Sequence, residues 1–251
     1  MKMYAIELLK RLAAVAFFAP ALAMAAGAVH LDKAPVSTDP QKLQRGAKLF
    51  VNYCLNCHGI SAVRYSELTK IGFDEKTIAD SLPITGKKIG DLMTSSMTRD
   101  DGEAWFGIAP PDLSLIARAK ASAAGTGGDY LYTYLRGFYK DESRLIGWNN
   151  KVFPNAAMPH AMWDLQGVQT ARETDDKHGN KVLELVPPEV PGNMSAEEYD
   201  SAVADLVSFM VWVGEPIAEK RKTIGIFVLI FLAGFYVLTH LLGKNYWKDI
   251  R

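Results

Sequence analysis

The chain has 251 residues, 49% of them hydrophobic, and sets 28 Lys and Arg against 28 Asp and Glu, so its formal charge is zero. That balance withholds the positive field on which nucleic-acid binding depends. Its only cysteines, Cys54 and Cys57, are too few and too close together for a disulfide-stapled exported domain.

The N-terminus reads as a targeting segment. Lys2, Lys10 and Arg11, interrupted by Glu7, precede an apolar run over 12–24 that closes on the small-residue sites Ala21-Leu22-Ala23 and Ala23-Met24-Ala25. This predicts a secretory signal peptide over 1–25, cleaved near Ala25, and the run is short for a membrane span. Residues 26–223 then supply one domain, with 22 basic against 26 acidic side chains. That mild acidity suits a basic protein partner better than a nucleic acid.

Within it, Asp39-Pro40 opens a helix, Asp as cap and Pro in the first turn. Leu43, Ala47, Phe50 and Cys54 then share one face. Residues 60–105 read as irregular with short helical pieces. Pro110-Pro111-Asp112 is expected to start a helix over 113–120, followed by a loop over 121–128 and a second, aromatic helix over 130–139. An ordered loop over 147–159 is predicted from Gly147, Asn149, Asn150, Pro154, Asn155 and Pro159. Residues 182–186 suit one strand of a surface hairpin turning at His178-Gly179-Asn180. Ser195 with Glu198 forms a capping box for the last helix of the domain, whose buried side is Tyr199, Val203, Leu206, Met210 and Val213. Gly214-Glu215-Pro216 ends it.

Residues 224–242 hold no Asp, Glu, Lys or Arg and suffice to cross a bilayer core of about 30 Å. Lys220, Arg221 and Lys222 precede this span; Lys244, Tyr246, Trp247 and Lys248 follow it. Lys and Arg are balanced across it, so orientation rests on the signal peptide: domain exported, tail 243–251 in the cytoplasm. The expected class is mostly α, with one C-terminal transmembrane helix.

Cys54-Leu55-Asn56-Cys57-His58 is a C-x-x-C-H sequence, the attachment motif of c-type haem. Two thiols three positions apart suit thioethers to the two vinyl groups of one haem, and the adjacent histidine reaches the iron from the same side. A thioredoxin-like disulfide would accompany a βαβ unit, and a zinc site would need a second ligand pair. The second axial ligand is open on this reading. Met93, Met97, Met158, Met162, Met194, Met210, His160 and His178 are all candidates. Met210 better suits the core face of its helix. Met158 is favoured by its rigid proline-framed loop, with Met97 and His160 behind it.

Five segments together resemble the cytochrome c1 family, the haem subunits of ubiquinol–cytochrome c oxidoreductase. They are Arg45-Gly46 through His58; Ala109-Pro110-Pro111-Asp112-Leu113-Ser114 with Arg118; Gly128-Asp129-Tyr130; Ala157-Met158-Pro159; and Phe209 through Trp212 to Glu215-Pro216 ahead of the span. The resemblance implies a class-I-type cytochrome c domain with loop insertions, one covalently attached haem c, and Met158 as the second iron ligand beside His58. It also implies Arg118 paired with a haem propionate, Pro110 and Pro111 packed on the porphyrin, and Tyr130 in the haem pocket. Residues 66–105 and 121–127 depart from mitochondrial members, which points to a bacterial type in an inner membrane. The family fold crosses the helix before the haem motif against the last helix, with Gly46 and Phe50 expected to meet Tyr199 and Val203.

The resemblance further implies a cytochrome b subunit, the Rieske iron–sulfur protein and a soluble or membrane-attached cytochrome c as partners, in a dimeric complex. The chain would take one electron from the Rieske protein and pass it to the cytochrome c, without being an enzyme on its own. The rivals are an independent anchored cytochrome c and a haem enzyme or gas sensor with an open iron position.

Overall fold

The computed structural model describes residues 30–82, 86–175, 179 and 181–249. The expected signal peptide lies outside these residues, as do His178 and Asn180. Contacts divide the chain into 1–30 and 31–251, and all of the elements that follow belong to the second unit. Its elements are α1 (Pro40–Tyr53), β1 (Ile60–Arg64), a 3-10 helix (Tyr65–Ile71), α2 (Glu75–Ser81), β2 (Leu92–Met93), α3 (Arg99–Phe106), α4 (Ile116–Ala119) and α5 (Gly127–Arg136). There follow β3 (Phe138–Lys140), β4 (Trp148–Asn150), α6 (Trp163–Gln166), β5 (Gly167–Asp175), β6 (Lys181–Pro191), α7 (Ala196–Gly214) and α8 (Ala218–Tyr246). The strands form three antiparallel pairs, β1–β2, β3–β4 and β5–β6.

Helix α1 begins as its sequence dictates: the Asp39 carboxylate accepts a hydrogen bond from Gln41 N at 2.9 Å, and Pro40 fills the first turn. Leu43, Ala47, Phe50 and Cys54 are buried together, so the face read from periodicity is the core face. Helix α7 carries the expected capping box between Ser195 and Glu198 and buries Tyr199, Val203, Leu206, Met210 and Val213. The two helices cross at Gly46. A Cβ on that residue would fall inside the Asp205 backbone carbonyl and against Phe209 Cβ. Beside it the Phe50 and Phe209 rings lie 5.8 Å apart, and Arg45 Nε reaches Asp205 Oδ2 at 2.6 Å. The closest approach is therefore farther along α7 than Tyr199 and Val203. Tyr199 also reaches α5, donating its hydroxyl proton to Leu135 O at 3.0 Å.

Three elements differ from expectation. The helix expected over 113–120 shrinks to α4, because Asp112 spends its carboxylate on Ser61 N, Ser61 Oγ and Ser114 N, at 2.7–2.9 Å, and holds the segment in a turn. The aromatic helix starts earlier, at a Thr126–Asp129 capping box, and stops at Arg136; Phe138–Lys140 instead pairs with Trp148–Asn150. The hairpin strand extends over Lys181–Pro191 despite its prolines. In a two-stranded ribbon both strands are edges, where a missing N–H can face outward, and the register shifts between Val168 and Thr170, opposite Pro187 and Pro188.

After Glu215-Pro216 the chain enters α8, 29 residues with a window of mean hydropathy 2.3 and no buried residue. At ~1.5 Å per residue it outreaches a bilayer core of about 30 Å. None of the described residues of the domain covers it, as suits one single-pass anchor.

Candidate functional site

The end of α1 builds one wall of the site. Cys54 caps the helix, and the next residues fold back on it: Cys57 N and His58 N both donate to Cys54 O, at 3.1 and 2.8 Å. This tight turn sets Cys54, Cys57 and His58 on the wall of a cavity of about 430 Å³. Pro110, Pro111, Tyr130 and Met158 line the same cavity, with Phe106, Ile108, Leu113, Leu131 and Phe153 making most of the rest apolar. Seven of the eight site residues expected from the sequence thus converge. Arg118 does not: it is exposed, outside the lining, with its methylenes beside Gly214.

The thiols are neutral and unpaired with each other. Burial, with a smaller contribution from Cys57, pushes Cys54 up to about 12, and burial raises Cys57 as well. Redox-active cysteine pairs sit at helix N-termini with depressed pKa values, whereas this pair follows a helix C-terminus, where the macrodipole opposes a thiolate. The disulfide-oxidoreductase reading fails on that ground. Among the described residues no group of three or more His, Cys, Asp or Glu is placed to hold a free metal ion.

His58 has its ring oriented by the Pro-Pro-Asp segment. Its Nδ1 lies 2.8 Å from Pro111 O, and a carbonyl only accepts, so Nδ1 carries the proton and Nε2 keeps its lone pair. Burial lowers its pKa, against the Pro111 hydrogen bond and the Asp112 charge that raise it. The neutral imidazole a metal requires is thereby favoured. Leu113 N donates to Gly59 O at 2.8 Å, and Ser114 Oγ accepts from Ala62 N at 3.1 Å. The segment is latched along the chain that leaves the cysteine motif, which fixes Pro111 over His58.

Met158 comes from the opposite part of the sequence on a loop held by two asparagines. Asn149 Oδ1 accepts from Asn150 N and Asn155 N; Asn150 Oδ1 accepts from Val152 N and Phe153 N, while its amide donates to Tyr134 O. Of the other candidate ligands, Met93 and Met162 are buried in the core, and Met97 and Met194 do not line the cavity. Met210 lines it from the core face of α7. His160 is buried outside it, stacked on Phe138 at 5.0 Å, and burial holds its pKa down at about 4.

Sequence reasoning missed three contributors. Lys120 lines the cavity with its ammonium 4.9 Å from the Tyr130 ring centre and 5.6 Å from that of Phe153. Tyr53 and Tyr134 line it as well. The Tyr130, Tyr134, Phe138 repeat at four-residue spacing was the one signal for Tyr134.

The donors suit a covalently held haem: two thiols and a histidine nitrogen on one wall, a thioether sulfur on another, apolar side chains between. A mostly helical domain built around such a cavity and carried on one apolar helix belongs to the membrane-anchored c-type cytochromes. Comparison with known proteins narrows the class. The model of the Cytochrome C1 family matches residues 30–182 and 192–250, and the chain belongs to that family. It is 41% identical to cytochrome c1 of Allochromatium vinosum over 92% of this chain and 93% of that one. It is 48% identical to a Nitrosomonas europaea protein named ammonia monooxygenase gamma subunit, over 97% and 99%, and 27% identical to cytochrome c1 of Rhodospirillum rubrum, over 85% and 83%. The chain is accordingly a haem-bearing electron-transfer subunit of a bacterial cytochrome bc1 complex, with one covalently attached c-type haem, and is not an enzyme by itself.

Proposed function

We propose that this subunit takes one electron from the Rieske iron–sulfur protein and delivers it to a soluble or membrane-attached cytochrome c. Its haem domain, 26–223, stands in the periplasm after removal of 1–25; the span over 224–242 crosses the inner membrane, and the tail 243–251 is cytoplasmic. The complex is dimeric, with cytochrome b beside the anchor.

The observation that carries the reading is the shared cavity of Cys54, Cys57, His58 and Met158. In this assignment Cys54 and Cys57 would hold the haem by thioethers, and His58 Nε2 and Met158 Sδ would hold its iron. When bound, the haem supplies reversible one-electron oxidation and reduction. Pro110, Pro111 and Tyr130 give the cavity apolar, water-excluding walls. Lys120 on the wall would supply positive charge for the propionates, and Arg118, outside the lining, a more distant one. An iron held by both His58 and Met158 would have no position open to a substrate, which is the argument against the enzyme and gas-sensor rivals.

Purification of the full chain through an affinity tag in mild detergent tests the partners. A b-type haem protein and a two-iron, two-sulfur protein should co-purify, and the assembly should reduce added cytochrome c when given quinol. Recovery of the chain alone would favour an independent anchored cytochrome. Recovery with an ammonia-oxidising assembly would favour the role named for the Nitrosomonas relative.

A further inference from the structure

Tyr134 stands one turn beyond Tyr130 on α5, and its hydroxyl lies 3.6 Å from Met158 Sδ, within hydrogen-bonding reach of sulfur. Only the hydroxyl has a proton to give, so Tyr134 donates and the thioether accepts. The donor is fixed from three sides. Its ring stacks on Tyr130 at 5.9 Å and 10° and meets Phe138 edge-on at 5.1 Å and 72°. Its carbonyl accepts from Asn150 Nδ2 at 2.8 Å, and Asn150 is one of the two asparagines that shape the Met158 loop. Donor and acceptor are therefore set by one scaffold. A phenol hydroxyl keeps its proton at physiological pH and so can donate.

We infer that Tyr134 is a positioning and tuning residue: its hydroxyl orients the Met158 thioether and withdraws electron density from the sulfur. The inference rests on the proposal that Met158 is an axial ligand. A thioether sulfur has two lone pairs, so it can bind iron with one and accept a hydrogen bond with the other. The sign of the effect follows from charge. Ferric iron depends more than ferrous iron on donation from the sulfur, and it is also more disfavoured by the positive end of a nearby O–H dipole. Both effects destabilise the oxidised state and raise the reduction potential, the kind of control exerted by hydrogen bonds around axial ligands. Removing the hydroxyl also makes the cavity less polar, which disfavours the ferric charge and opposes the change. The oriented dipole at the ligand atom outweighs that diffuse effect.

The test uses the full haem-loaded chain in detergent and the variants Tyr134→Phe, Met158→Leu and Tyr199→Phe. Tyr134→Phe keeps the ring contacts and should lower the midpoint potential, while the weak methionine–ferric iron band at the red end of the visible spectrum survives but moves. Tyr199→Phe removes a different buried hydroxyl, bonded to Leu135 O, and should leave band and potential unchanged. An unchanged potential in Tyr134→Phe, with the band lost in Met158→Leu, overturns the tuning role and spares the ligand assignment. An equal fall in Tyr199→Phe assigns the effect to general loosening and also overturns it. Survival of the band in Met158→Leu removes the ligand assignment, and the tuning role falls with it.

Discussion

The Tyr53 hydroxyl donates a hydrogen bond to Asp164 Oδ2 at 3.0 Å, joining the residue before Cys54 to helix α6, just past the Met158 loop. The two residues are 111 positions apart, so the bond ties the chain segment before the cysteine motif to the one after the Met158 loop. Burial raises the Tyr53 pKa, and the adjacent Asp164 raises it further, so the phenol remains a donor. Tyr53→Phe keeps the ring and strands the carboxylate. It should cost about 1–2 kcal/mol, as for a partly buried hydrogen bond to a charged group. Denaturant unfolding measures the destabilisation. A variant as stable as the wild type would show that water replaces the bond without penalty.

Gly46→Ala should destabilise the domain. Alanine improves helix propensity by about 1 kcal/mol, but the new methyl must displace the Asp205 backbone carbonyl, which no rotamer change can relieve. Overpacking of this kind costs about 1–3 kcal/mol. The balance is a net loss of stability, visible as a lower unfolding midpoint with the haem spectrum retained. A more stable variant would mean that α1 and α7 separate freely.

Helices α1 and α7 were legible because their caps and apolar spacing act locally, and the cysteine motif because its chemistry is local too. The second wall was harder. Asn149 and Asn150 signal a loop, yet their amides knit β4 to the Met158 loop, and sequence alone does not tell whether an amide bonds water or backbone. Lys120 was missed for a different reason. On a helix of four residues no periodicity is measurable, and positions i and i+2 point to nearly opposite sides.

Asp129 should give the domain a pH-dependent stability. Burial alone would raise its pKa, but hydrogen bonds from Ala34 N, Thr126 and Lys33 outweigh it and hold the value at about 2, below the ordinary 3.8. A carboxylate depressed in the folded state stabilises fully above its unfolded pKa. That contribution disappears as pH falls from about 3.8 towards 2. Asp129→Asn should therefore be less stable than wild type at pH 7, with the gap closing through that window. A constant gap would mean the side chain acts through shape alone.

Removal of everything after Glu219 should release a soluble, red, reducible domain. Every cavity-lining residue precedes that point, and α8 buries no residue against the domain. At the joint the truncation breaks the ion pair between Arg221 Nη2 and Glu215 Oε1 at 2.7 Å, exposed on the arginine side and worth under about 1 kcal/mol. Fractionation of the truncated chain decides it. Membrane association without partner subunits would contradict a single anchor.

The two cations near the site should separate by potential. A positive charge close to the haem opposes the added charge of ferric iron, so its removal lowers the midpoint, and the Coulomb effect falls with distance and solvent screening. Lys120 lies on the cavity wall, its ammonium over the Tyr130 and Phe153 rings, whereas Arg118 is exposed on the outer side beside Gly214. Lys120→Gln should therefore lower the midpoint potential more than Arg118→Gln, and the Arg118 effect should shrink further as salt rises. Lys120→Arg, which keeps the charge, should restore most of the potential. Redox titration at low and high ionic strength measures all three variants. The reverse order, with Arg118→Gln dominant at both salt concentrations, would assign the propionate contact to Arg118 and leave Lys120 as wall packing.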